Sequence, residues 1–354
     1  MMLSRPGLEE LKSYAVAEET GFAVKLDANE RSADLPAAVR ECVLSRLASL
    51  EFHRYPDMAA MALRTKIADA YGLQPENILI GNGSSQLLEV MCYAFGGAGR
   101  SILFPAPSFS MYGTYVKLAD SRAVPVMLAE DFSLSPDKML AAAAEHQASL
   151  VILCNPNNPT GNSIPAKDIE AIIAGADCPV VVDEAYMEFY GQSAAPLLAK
   201  YQNLIIARTF SKAYGLASAR VGYLLAAPAL TAIISKVLMP YHANSLSLAA
   251  AEVVFDMRQE FQPDIEQTIS ERKRLAARLQ EFAAITVYPS ATNFLLLRTP
   301  QAKELAEYLA SQSISIRDFS SAPGLTNCLR ITIGTADEND NVLQAVAAFF
   351  EVNP

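Results

Sequence analysis

Short runs of consecutive apolar residues recur through the first two thirds of the chain and alternate with stretches of helical length. The runs cover residues 78–80, 101–104, 124–128, 150–154, 180–183, 204–207 and 221–225. Continuous runs of this kind, rich in β-branched residues, are typical of strands buried on both faces of a parallel sheet. We therefore predict an α/β fold whose large domain, residues 45–245, has a mainly parallel sheet between helices.

The last hundred residues have a different pattern. An amphipathic helical pattern runs from residue 246 to 281, with charged and amide side chains on one side and apolar side chains on the other. Strand patterns follow at 285–288, 293–298, 314–317 and 328–333, with helical patterns near 302–312 and 340–351. This mixture predicts a smaller α+β domain, formed by residues 246–354 and an N-terminal arm of residues 1–44.

Composition and charge narrow the classes of partner. The 354 residues are 51% hydrophobic and carry a formal net charge of -10, without a dense run of lysine and arginine. A negative chain of this kind is not expected to bind nucleic acid or an anionic membrane. The chain start lacks an apolar signal core, and no apolar run is long enough to span a bilayer, so neither secretion nor membrane insertion is expected.

The cysteines and histidines are few and lack the spacing of metal ligands. The five cysteines, Cys42, Cys92, Cys154, Cys178 and Cys328, are odd in number and include no CxxC pair. This favours a reducing cytoplasm over a disulfide framework or a zinc site. The three histidines, His53, His146 and His242, form no HExxH or paired motif, so we expect no metal.

The first candidate for chemistry is Lys212, which together with Arg220 follows the apolar run 204–207. Two cations near the end of a buried strand are unusual. Partial burial and a neighbouring positive charge can lower the pKa of a lysine, which then acts as a nucleophile and forms a Schiff base with an aldehyde. A solvated loop is the alternative interpretation of a Ser–Lys pair taken alone.

Other predicted strands also end in polar residues. Asn158 follows the run 150–154, and Asp183 and Tyr186 follow the run that begins at residue 180. The carboxyl ends of parallel strands lie along one edge of a sheet, where open α/β folds bind their ligands. We therefore expect these three side chains to meet Lys212.

The segment 81–86, Gly-Asn-Gly-Ser-Ser-Gln, lies between a predicted strand and a predicted helix. Small residues that open a helix offer free backbone N–H groups to an anion, and the helix dipole favours negative charge there. We expect a phosphate to bind there. The alternative interpretation of the same residues is a tight turn with a serine N-cap. The segment matches neither a GxGxxG fingerprint nor a Walker loop.

A ligand that carries a phosphate, an aldehyde and a basic ring nitrogen would use all of these groups, and pyridoxal 5'-phosphate is such a ligand. Lys212 would bind the aldehyde and later move a proton, and Asp183 would keep the ring nitrogen protonated. Asn158 and Tyr186 would hydrogen-bond the ring oxygen. Arg220 would contact the phosphate.

Three segments resemble, in order and spacing, the signature of fold-type I aminotransferases: residues 155–161 (NPNNPTG), residues 183–186 (DEAY), and Ser211-Lys212 with Arg220. Within that group the chain most resembles the histidinol-phosphate aminotransferase family, through residues 26–30, 54–57, 107–112 and 323–335. This resemblance covers nearly the whole chain and implies an aspartate-aminotransferase-like fold. It also implies a cytoplasmic transferase of histidine biosynthesis that converts L-histidinol phosphate and 2-oxoglutarate to imidazole-acetol phosphate and L-glutamate.

The resemblance further assigns roles at the cofactor. Phe109 matches the aromatic residue that stacks on the cofactor ring. Ser84, Ser85 and Ser211 match positions of the phosphate loop. Tyr55 matches the tyrosine that reaches the cofactor phosphate of the neighbouring subunit, which implies a homodimer with shared active sites.

It assigns substrate roles as well. Arg330 matches the arginine that clamps the carboxylate of amino-acid and oxo-acid substrates. Arg317 matches the arginine that meets the phosphate of histidinol phosphate, with a solvated arginine at a strand end as the alternative. Tyr14 matches an aromatic residue that covers the substrate pocket, and Asn29 lies in the arm near the same site.

Two departures from the family pattern bear on the substrate. Ser85-Gln86 stands where the family usually has an acidic pair, which alters the charge beside the phosphate loop. Arg31-Ser32 stands where the family has Asn-Pro, and it predicts an extra cation at the mouth of the pocket. Two alternatives therefore stay open: a lyase resembling threonine-phosphate decarboxylase, and an aminotransferase that prefers aromatic amino acids.

Overall fold

The structure is a computed structural model that describes residues 21–353, and the apolar runs of the first two thirds lie in strands, except that the run 124–128 extends one residue beyond β4. The strands are β1 (Val24–Lys25), β2 (Ile78–Asn82), β3 (Ser101–Ala106), β4 (Arg122–Met127), β5 (Ala148–Cys154), β6 (Val180–Asp183), β7 (Leu204–Thr209), β8 (Val221–Ala226), β9 (Thr286–Val287), β10 (Phe294–Arg298), β11 (Ile314–Ser315), β12 (Arg317–Asp318) and β13 (Cys328–Thr332). The helices are α1 (Ala37–Ala48), α2 (Met61–Tyr71), α3 (Gly83–Phe95), α4 (Met111–Leu118), α5 (Pro136–Glu145), α6 (Ala166–Gly175), α7 (Met187–Tyr190), α8 (Pro228–Ile234), α9 (Ser245–Asp256), α10 (Gln262–Leu279), α11 (Ala302–Ser311) and α12 (Ala336–Val352). Short 3₁₀ helices cover Pro75–Asn77, Ala195–Ala199, Ser235–Val237 and Arg258–Phe261.

The large sheet has seven strands in the order β2-β8-β7-β6-β5-β3-β4. Strands β7, β6, β5, β3 and β4 pair in parallel, and β8 is antiparallel to both of its neighbours, β2 and β7. The prediction of a mainly parallel sheet is therefore confirmed.

Helices cover both faces of this sheet, which explains why its central strands are continuous apolar runs. On one face, Val180, Val182 and Ile206 pack with residues of α2, α5, α6 and α9. On the other face, Val181 and Ile205 pack with residues of α3, α4 and α8. Successive side chains of a strand point to opposite faces, so every residue of β6 needs an apolar partner until the strand ends at Asp183.

A second sheet lies in the C-terminal part, with the antiparallel order β12-β13-β10-β9, and a separate parallel pair joins β1 to β11. Its apolar cluster includes Leu275 of α10, Leu305 of α11 and Val342 of α12. Strand β1 of the arm thus lies with the C-terminal elements, while α1 packs against α9 beside the large sheet. The domain boundaries near residues 45 and 245 remain a prediction.

Two predictions for the C-terminal part were wrong. The helical pattern 246–281 is two helices, α9 and α10, separated by the 3₁₀ turn Arg258–Phe261. Pro263 in the first turn of α10 explains the new start, because proline is tolerated in a first turn but not inside a helix. The pattern 314–317 is two strands in different sheets, β11 and β12, separated by Ile316.

The described helices can also be compared with the thickness of a bilayer. Between residues 21 and 353, none of them combines the length and the apolar character that crossing a membrane requires.

Candidate active site

A cavity of about 250 Å³ opens where β5, β6 and β7 end. Twelve of the side chains singled out in the sequence line it: Asn29, Ser84, Ser85, Phe109, Asn158, Asp183, Tyr186, Ser211, Lys212, Arg220, Arg317 and Arg330. The sheet topology thus brings together residues that are up to three hundred positions apart in the sequence, as expected for the carboxyl edge of parallel strands.

Lys212 follows β7, and its side chain reaches into the cavity. Its Nζ donates a hydrogen bond of 2.9 Å to the carbonyl oxygen of Ala28. Burial lowers the pKa of Lys212 to about 7, and the positive charges of Arg330 and Arg220 act in the same direction. Although the cavity leaves part of its surface accessible, the amine is largely removed from water. A substantial fraction is therefore neutral near pH 7, as a nucleophile or proton carrier requires.

Asp183 closes β6 at the base of the cavity. Tyr112 donates a 2.7 Å hydrogen bond to Oδ2, and the backbone N–H of Ala185 donates to Oδ1 at 3.2 Å. Burial raises the pKa of Asp183 to about 6, while the hydrogen bond from Tyr112 opposes that shift. A carboxylate in this setting favours a proton-bearing partner, such as a protonated ring nitrogen.

Two further polar side chains, those of Asn158 and Tyr186, are oriented by neighbouring site residues. Asn29 Nδ2 donates to the Tyr186 hydroxyl at 3.0 Å, and burial raises the pKa of that hydroxyl. Arg330 Nη1 donates to Asn158 Oδ1 at 2.6 Å. Asn29 and Arg330 therefore connect the predicted substrate residues with the predicted cofactor residues.

Arg330 lies in β13, and several contacts fix its guanidinium plane. Its Nη2 donates to the carbonyl oxygen of Asp27 at 2.5 Å, and the rings of Phe294 and Phe319 lie 5.3 and 5.5 Å from the guanidinium carbon. Arg317 of β12 is the register partner of Arg330 and lines the same cavity. Two guanidinium groups in one cavity favour substrates with anionic groups.

The N-terminus of α3 forms a narrow cradle with Arg220. Gly83 has a φ of +77°, and a Cβ built on it would lie 2.6 Å from Arg220 Nη2. A Cβ on Gly222 would lie 2.3 Å from the backbone nitrogen of Ser84. Arg220 Nη1 in turn donates to Ser211 Oγ at 3.1 Å. These glycines permit backbone N–H groups, hydroxyls and one guanidinium to converge on an anion.

Gln86 has a local role in this cradle. Its side-chain oxygen accepts a hydrogen bond of 2.7 Å from the backbone N–H of Asn82, just before α3. Gln86 therefore satisfies the backbone N–H of Asn82 and leaves a neutral residue beside the anion cradle.

These residues fit pyridoxal phosphate. The cradle at the two glycines has room for a phosphate because no Cβ fills it. The amine of Lys212 can react with an aldehyde, and the carboxylate of Asp183 can pair with a basic ring nitrogen. Phe109 lines the cavity, and its ring meets that of Tyr112 edge-on at 5.5 Å. The ring is thus positioned to offer a flat apolar surface to an aromatic ligand.

Two predicted site residues are not among those that line the cavity. Tyr14 lies outside the described residues. Tyr55 is 79% exposed and stacks on Tyr241, with ring centroids 4.5 Å apart. The tyrosine contacts no cofactor-binding residue of its own chain in the described contacts, so its predicted role would require a second subunit.

The prediction that Arg31 adds a cation at the mouth of the pocket was wrong. Its side chain is only 9% exposed and forms an ion pair with Asp264 at the start of α10. Its guanidinium carbon also lies 5.3 Å from the centre of the Phe261 ring. Asp264 holds the Arg31 side chain at α10. The two residues are 233 positions apart, so the local sequence gives no signal of this pairing.

Sequence reasoning missed several residues at or behind the cavity. Tyr112 donates to Asp183 from behind the cavity lining, Phe319 lies over Arg330, and Asp27 and Ala28 supply backbone carbonyls. Tyr112 lies in the family-like segment 107–112, so that segment carried a signal. The carbonyl contacts depend on backbone position alone and cannot be inferred from residue type.

Comparison with known proteins gives a consistent result. The family model for aminotransferase class I and II matches residues 23–346. A histidinol-phosphate aminotransferase from Ruminiclostridium cellulolyticum is 37% identical over 345 residues, which cover 96% of each chain. Both matches span nearly the whole chain.

Solved structures resemble this fold closely. The histidinol-phosphate aminotransferase from Sinorhizobium meliloti, solved in complex with pyridoxal-5'-phosphate, superposes with a TM-score of 0.91 and 26% identity, over 100% of this chain and 99% of that chain. A tetra mutant of Thermus thermophilus aspartate aminotransferase superposes with a TM-score of 0.78 at 19% identity, over 92% and 96% of the two chains. The second likeness concerns the fold alone. The expected aspartate-aminotransferase-like fold is confirmed.

Proposed function

The chain belongs to the class I and II aminotransferases, and we propose that within them it is a histidinol-phosphate aminotransferase of histidine biosynthesis. The reaction would transfer the amino group of L-histidinol phosphate to 2-oxoglutarate, giving imidazole-acetol phosphate and L-glutamate, and it is reversible. The observation that carries this proposal is one cavity that holds Lys212, Asp183 and two arginines, Arg317 and Arg330. The near full-length likeness to histidinol-phosphate aminotransferases supports it.

We propose pyridoxal 5'-phosphate as the cofactor. When bound, it supplies an aldehyde that captures amines and an electron-withdrawing ring. Its phosphate would be held by the N-terminus of α3 and by the following side chains: Ser84, Ser85, Ser211 and Arg220. Phe109 would pack on its ring.

Lys212 would first hold the cofactor and then carry a proton. Because burial lowers its pKa to about 7, the neutral amine would be available to take a proton from the substrate Cα and deliver it to the cofactor carbon that carried the aldehyde. The hydrogen bond to Ala28 O keeps Nζ at a defined place in the cavity. The same group can therefore serve both half-reactions.

Asp183 would stabilise positive charge on the ring nitrogen. Tyr112 fixes the carboxylate through Oδ2, and burial strengthens its attraction for a cation because little water competes. Tyr186 and Asn158 would hydrogen-bond the ring oxygen. Each is already held by a partner, Asn29 and Arg330 respectively.

The arginines would select the substrates. Arg330 presents a planar donor pair suited to the carboxylate of glutamate or 2-oxoglutarate, and its plane is fixed by Asp27, Phe294 and Phe319. Arg317 would bind the phosphate of histidinol phosphate. The predicted cover by Tyr14 remains a proposal.

We also propose that the enzyme is a cytoplasmic homodimer. The exposed large apolar side chains include Tyr55, which stacks on Tyr241, and Met58 and Met239, which line one surface depression with Tyr241; Phe52 is also exposed. A second copy of the chain that covers this surface would bury these side chains. Tyr55 would then contact the cofactor phosphate bound by that second copy. The free cysteines, four of which are buried, suit a reducing compartment.

The test is a comparison of substrates with the purified, cofactor-loaded enzyme. Glutamate formation from 2-oxoglutarate would be measured with L-histidinol phosphate or L-phenylalanine as amino donor, and carbon dioxide release with L-threonine phosphate. We expect kcat/KM for histidinol phosphate to exceed that for phenylalanine by at least about 10-fold. Carbon dioxide release without glutamate formation would instead identify the lyase, and a preference for phenylalanine would identify the aromatic aminotransferase.

The Arg317→Ala variant sharpens this comparison. If Arg317 binds the substrate phosphate, kcat/KM for histidinol phosphate falls by about 10- to 100-fold, since an arginine–phosphate contact is charge-assisted, whereas turnover of phenylalanine changes little. Arg298→Ala is a suitable control, because Arg298 is a β10 arginine that lies over the Tyr288 ring and outside the cavity lining. Equal losses for both donors would argue against the phosphate role.

A further inference from the structure

The segment 27–29 supplies a contact to each of three active-site side chains. Asp27 O accepts from Arg330, Ala28 O accepts from Lys212, and Asn29 Nδ2 donates to Tyr186. The positions of these three side chains therefore depend on where the segment lies. Two of the contacts use backbone carbonyls, so they respond to any shift of the backbone.

The segment is anchored on its N-terminal side to two strands, β11 and β13. Leu26 N donates to Ser315 O at 2.8 Å, and Thr332 N donates to Leu26 O at 2.9 Å. Asn29 N donates to Thr332 Oγ1 at 3.0 Å. On the C-terminal side the chain leaves these strands, and Asn29 itself has a left-handed φ of 54°. Asn293 Nδ2 donates to Asn29 O at 3.1 Å, and Arg31 adds a contact to α10 two residues further along the chain.

Arg31 provides contacts at that point. Its Nη2 pairs with the carboxylate of Asp264 in the first turn of α10, and its Nη1 donates to Ala33 O at 3.0 Å. The guanidinium lies over the Phe261 ring at the start of the same helix. An ion pair with one nearly buried partner is screened less by salt and water than a fully exposed pair.

Arg31 also touches the loop that carries Lys212. A Cβ built on Gly215 would lie 3.4 Å from Arg31 Cδ, so the arginine stem packs directly over this glycine. Gly215 N donates to Lys212 O at 3.3 Å. One side chain thus connects the arm, the lysine loop and α10.

We propose that the Arg31–Asp264 pair is a positioning element that keeps the segment 27–29 seated against Lys212, Tyr186 and Arg330. Ser32 does not restrict the backbone as a proline would, and the ion pair to α10 supplies a restraint next to it. The kinetic part of this inference rests on the proposed function, whereas its structural part does not.

The first test measures amide hydrogen exchange in the cofactor-free chain. Arg31→Ala and Asp264→Ala are each expected to speed exchange in residues 24–31 by about 10-fold, because local opening becomes easier. Arg46→Ala is the matched control, since it removes a comparable pair, Arg46 with Glu252 at 3.4 Å, which joins α1 to α9. Exchange in residues 24–31 should be unchanged in this control.

The second test is a double-mutant cycle on kcat and KM. Each single variant should raise KM and lower kcat/KM by about 10-fold, and the double variant should be no worse than either, because both substitutions break one interaction. Arg31→Lys should recover part of the loss. Urea unfolding of each variant separates this effect from global destabilisation, and the more exposed Asp264 provides the second variant if Arg31→Ala does not fold.

Either of two results would overturn the proposal. One is exchange in residues 24–31 at the wild-type rate in both single variants. The other is faster exchange with kcat/KM within about twofold of wild type, which would show that the segment's position does not matter for turnover. If the wild-type enzyme does not use histidinol phosphate, the proposed function fails, yet the exchange measurement still decides whether the pair holds the segment.

Discussion

Two clusters of buried charge lie at the carboxyl ends of β6 and β7, on opposite faces of the sheet. Asp183 faces the active-site cavity together with Lys212, whereas Glu184, the next residue, faces the opposite side together with Arg208. The alternation of side chains along a strand places these neighbours on different faces. The two clusters are built on neighbouring residues of the chain, but their charged groups lie in different surroundings.

On the face away from the cavity, opposite charges and hydrogen bonds surround Arg208 and Glu184, although Arg208 Nη1 has no hydrogen-bond partner among the described residues and burial raises the pKa of Glu188 to about 7. Arg208 is 1% exposed and contacts Glu184 Oε2 through Nε at 2.8 Å and Nη2 at 2.7 Å. Glu184 also accepts from Ser193 Oγ and from the backbone N–H of Ala194. Glu188 lies 3.6 Å from Arg208 Nη1. Burial is tolerated here because opposite charges and donors compensate it.

On the cavity face, burial dominates the titration of both main groups. It lowers the pKa of Lys212 to about 7 and raises the pKa of Asp183 to about 6, so each is shifted toward its neutral form. Such groups cost folding free energy but respond readily to a ligand or a proton. The difference is that Arg208 and Glu184 are paired directly with each other, whereas Lys212 and Asp183 are each shifted toward the neutral form without such a partner within residues 21–353.

The largest expected effect is the loss of activity in Lys212→Ala. Without the amine no group in the cavity can replace both the anchor and the proton carrier, and kcat should fall by about 10⁴-fold or more. The folded variant should be at least as stable as wild type at pH 7, because a costly buried amine is gone. Lys200→Ala, at an exposed ion pair with Glu170, is the control. A Lys212→Ala enzyme with more than a tenth of wild-type kcat would refute the proposed chemistry.

The opposite cluster should respond to substitution with a loss of stability. Arg208→Met leaves Glu184 and Glu188 buried without their cation, and the free energy of unfolding should fall by about 3–5 kcal/mol in urea titrations. Lys66→Ala removes an exposed pair with Asp256 and should cost less than about 1 kcal/mol. A similar small loss for Arg208→Met would remove the distinction between the two clusters.

The third expected effect is a gain of stability in Asp183→Asn. The folded pKa is about 6, above the ordinary value of 3.8, so the folded state binds this proton more tightly than the unfolded chain. The resulting stability is present below about pH 4 and is lost as pH rises to about 6. At pH 7 the cofactor-free Asn variant should therefore exceed wild type by up to about 3 kcal/mol, while its activity falls.

Urea unfolding at several pH values checks this. The difference between Asp183→Asn and wild type should grow between about pH 4 and 6 and stay constant above. Asp131→Asn is a control at an exposed carboxylate, which accepts a hydrogen bond from Ser133. A variant that is less stable than wild type at pH 7 would mean that the charged carboxylate is compensated after all.

The contrast between the clusters also explains what the sequence could predict. The runs 180–183 and 204–207 indicated strands because both faces of a parallel sheet are buried, and polar residues at their ends indicated a ligand edge. Asp183 and Lys212 were found in this way. Arg208 extends β7 beyond its apolar run, and its partner Glu184 is 24 positions away, so nothing local distinguishes it from a solvated residue.

The other contacts that the sequence did not predict also join residues that are far apart in the chain. Arg31 pairs with Asp264 across 233 positions, and the carbonyl of Ala28 meets Lys212 across 184. Such contacts depend on how the two sheets pack, which the hydrophobic pattern does not encode. The break between α9 and α10 was the exception, because Pro263 is a local signal that the helical periodicity concealed.

The smallest expected effect concerns Tyr112, whose hydroxyl is the one side-chain donor to Asp183 in the described contacts. Tyr112→Phe removes a hydrogen bond that favours the charged carboxylate, so the pKa of Asp183 should rise above about 6. A donor of this kind contributes about 1.5 kcal/mol, which corresponds to about one pH unit. The pH range over which cofactor-free stability falls should therefore extend upward by about that amount in urea titrations. Tyr93→Phe, at an exposed contact with Glu89, should leave the range unchanged, and an identical profile in both variants would show that burial alone sets the titration of Asp183.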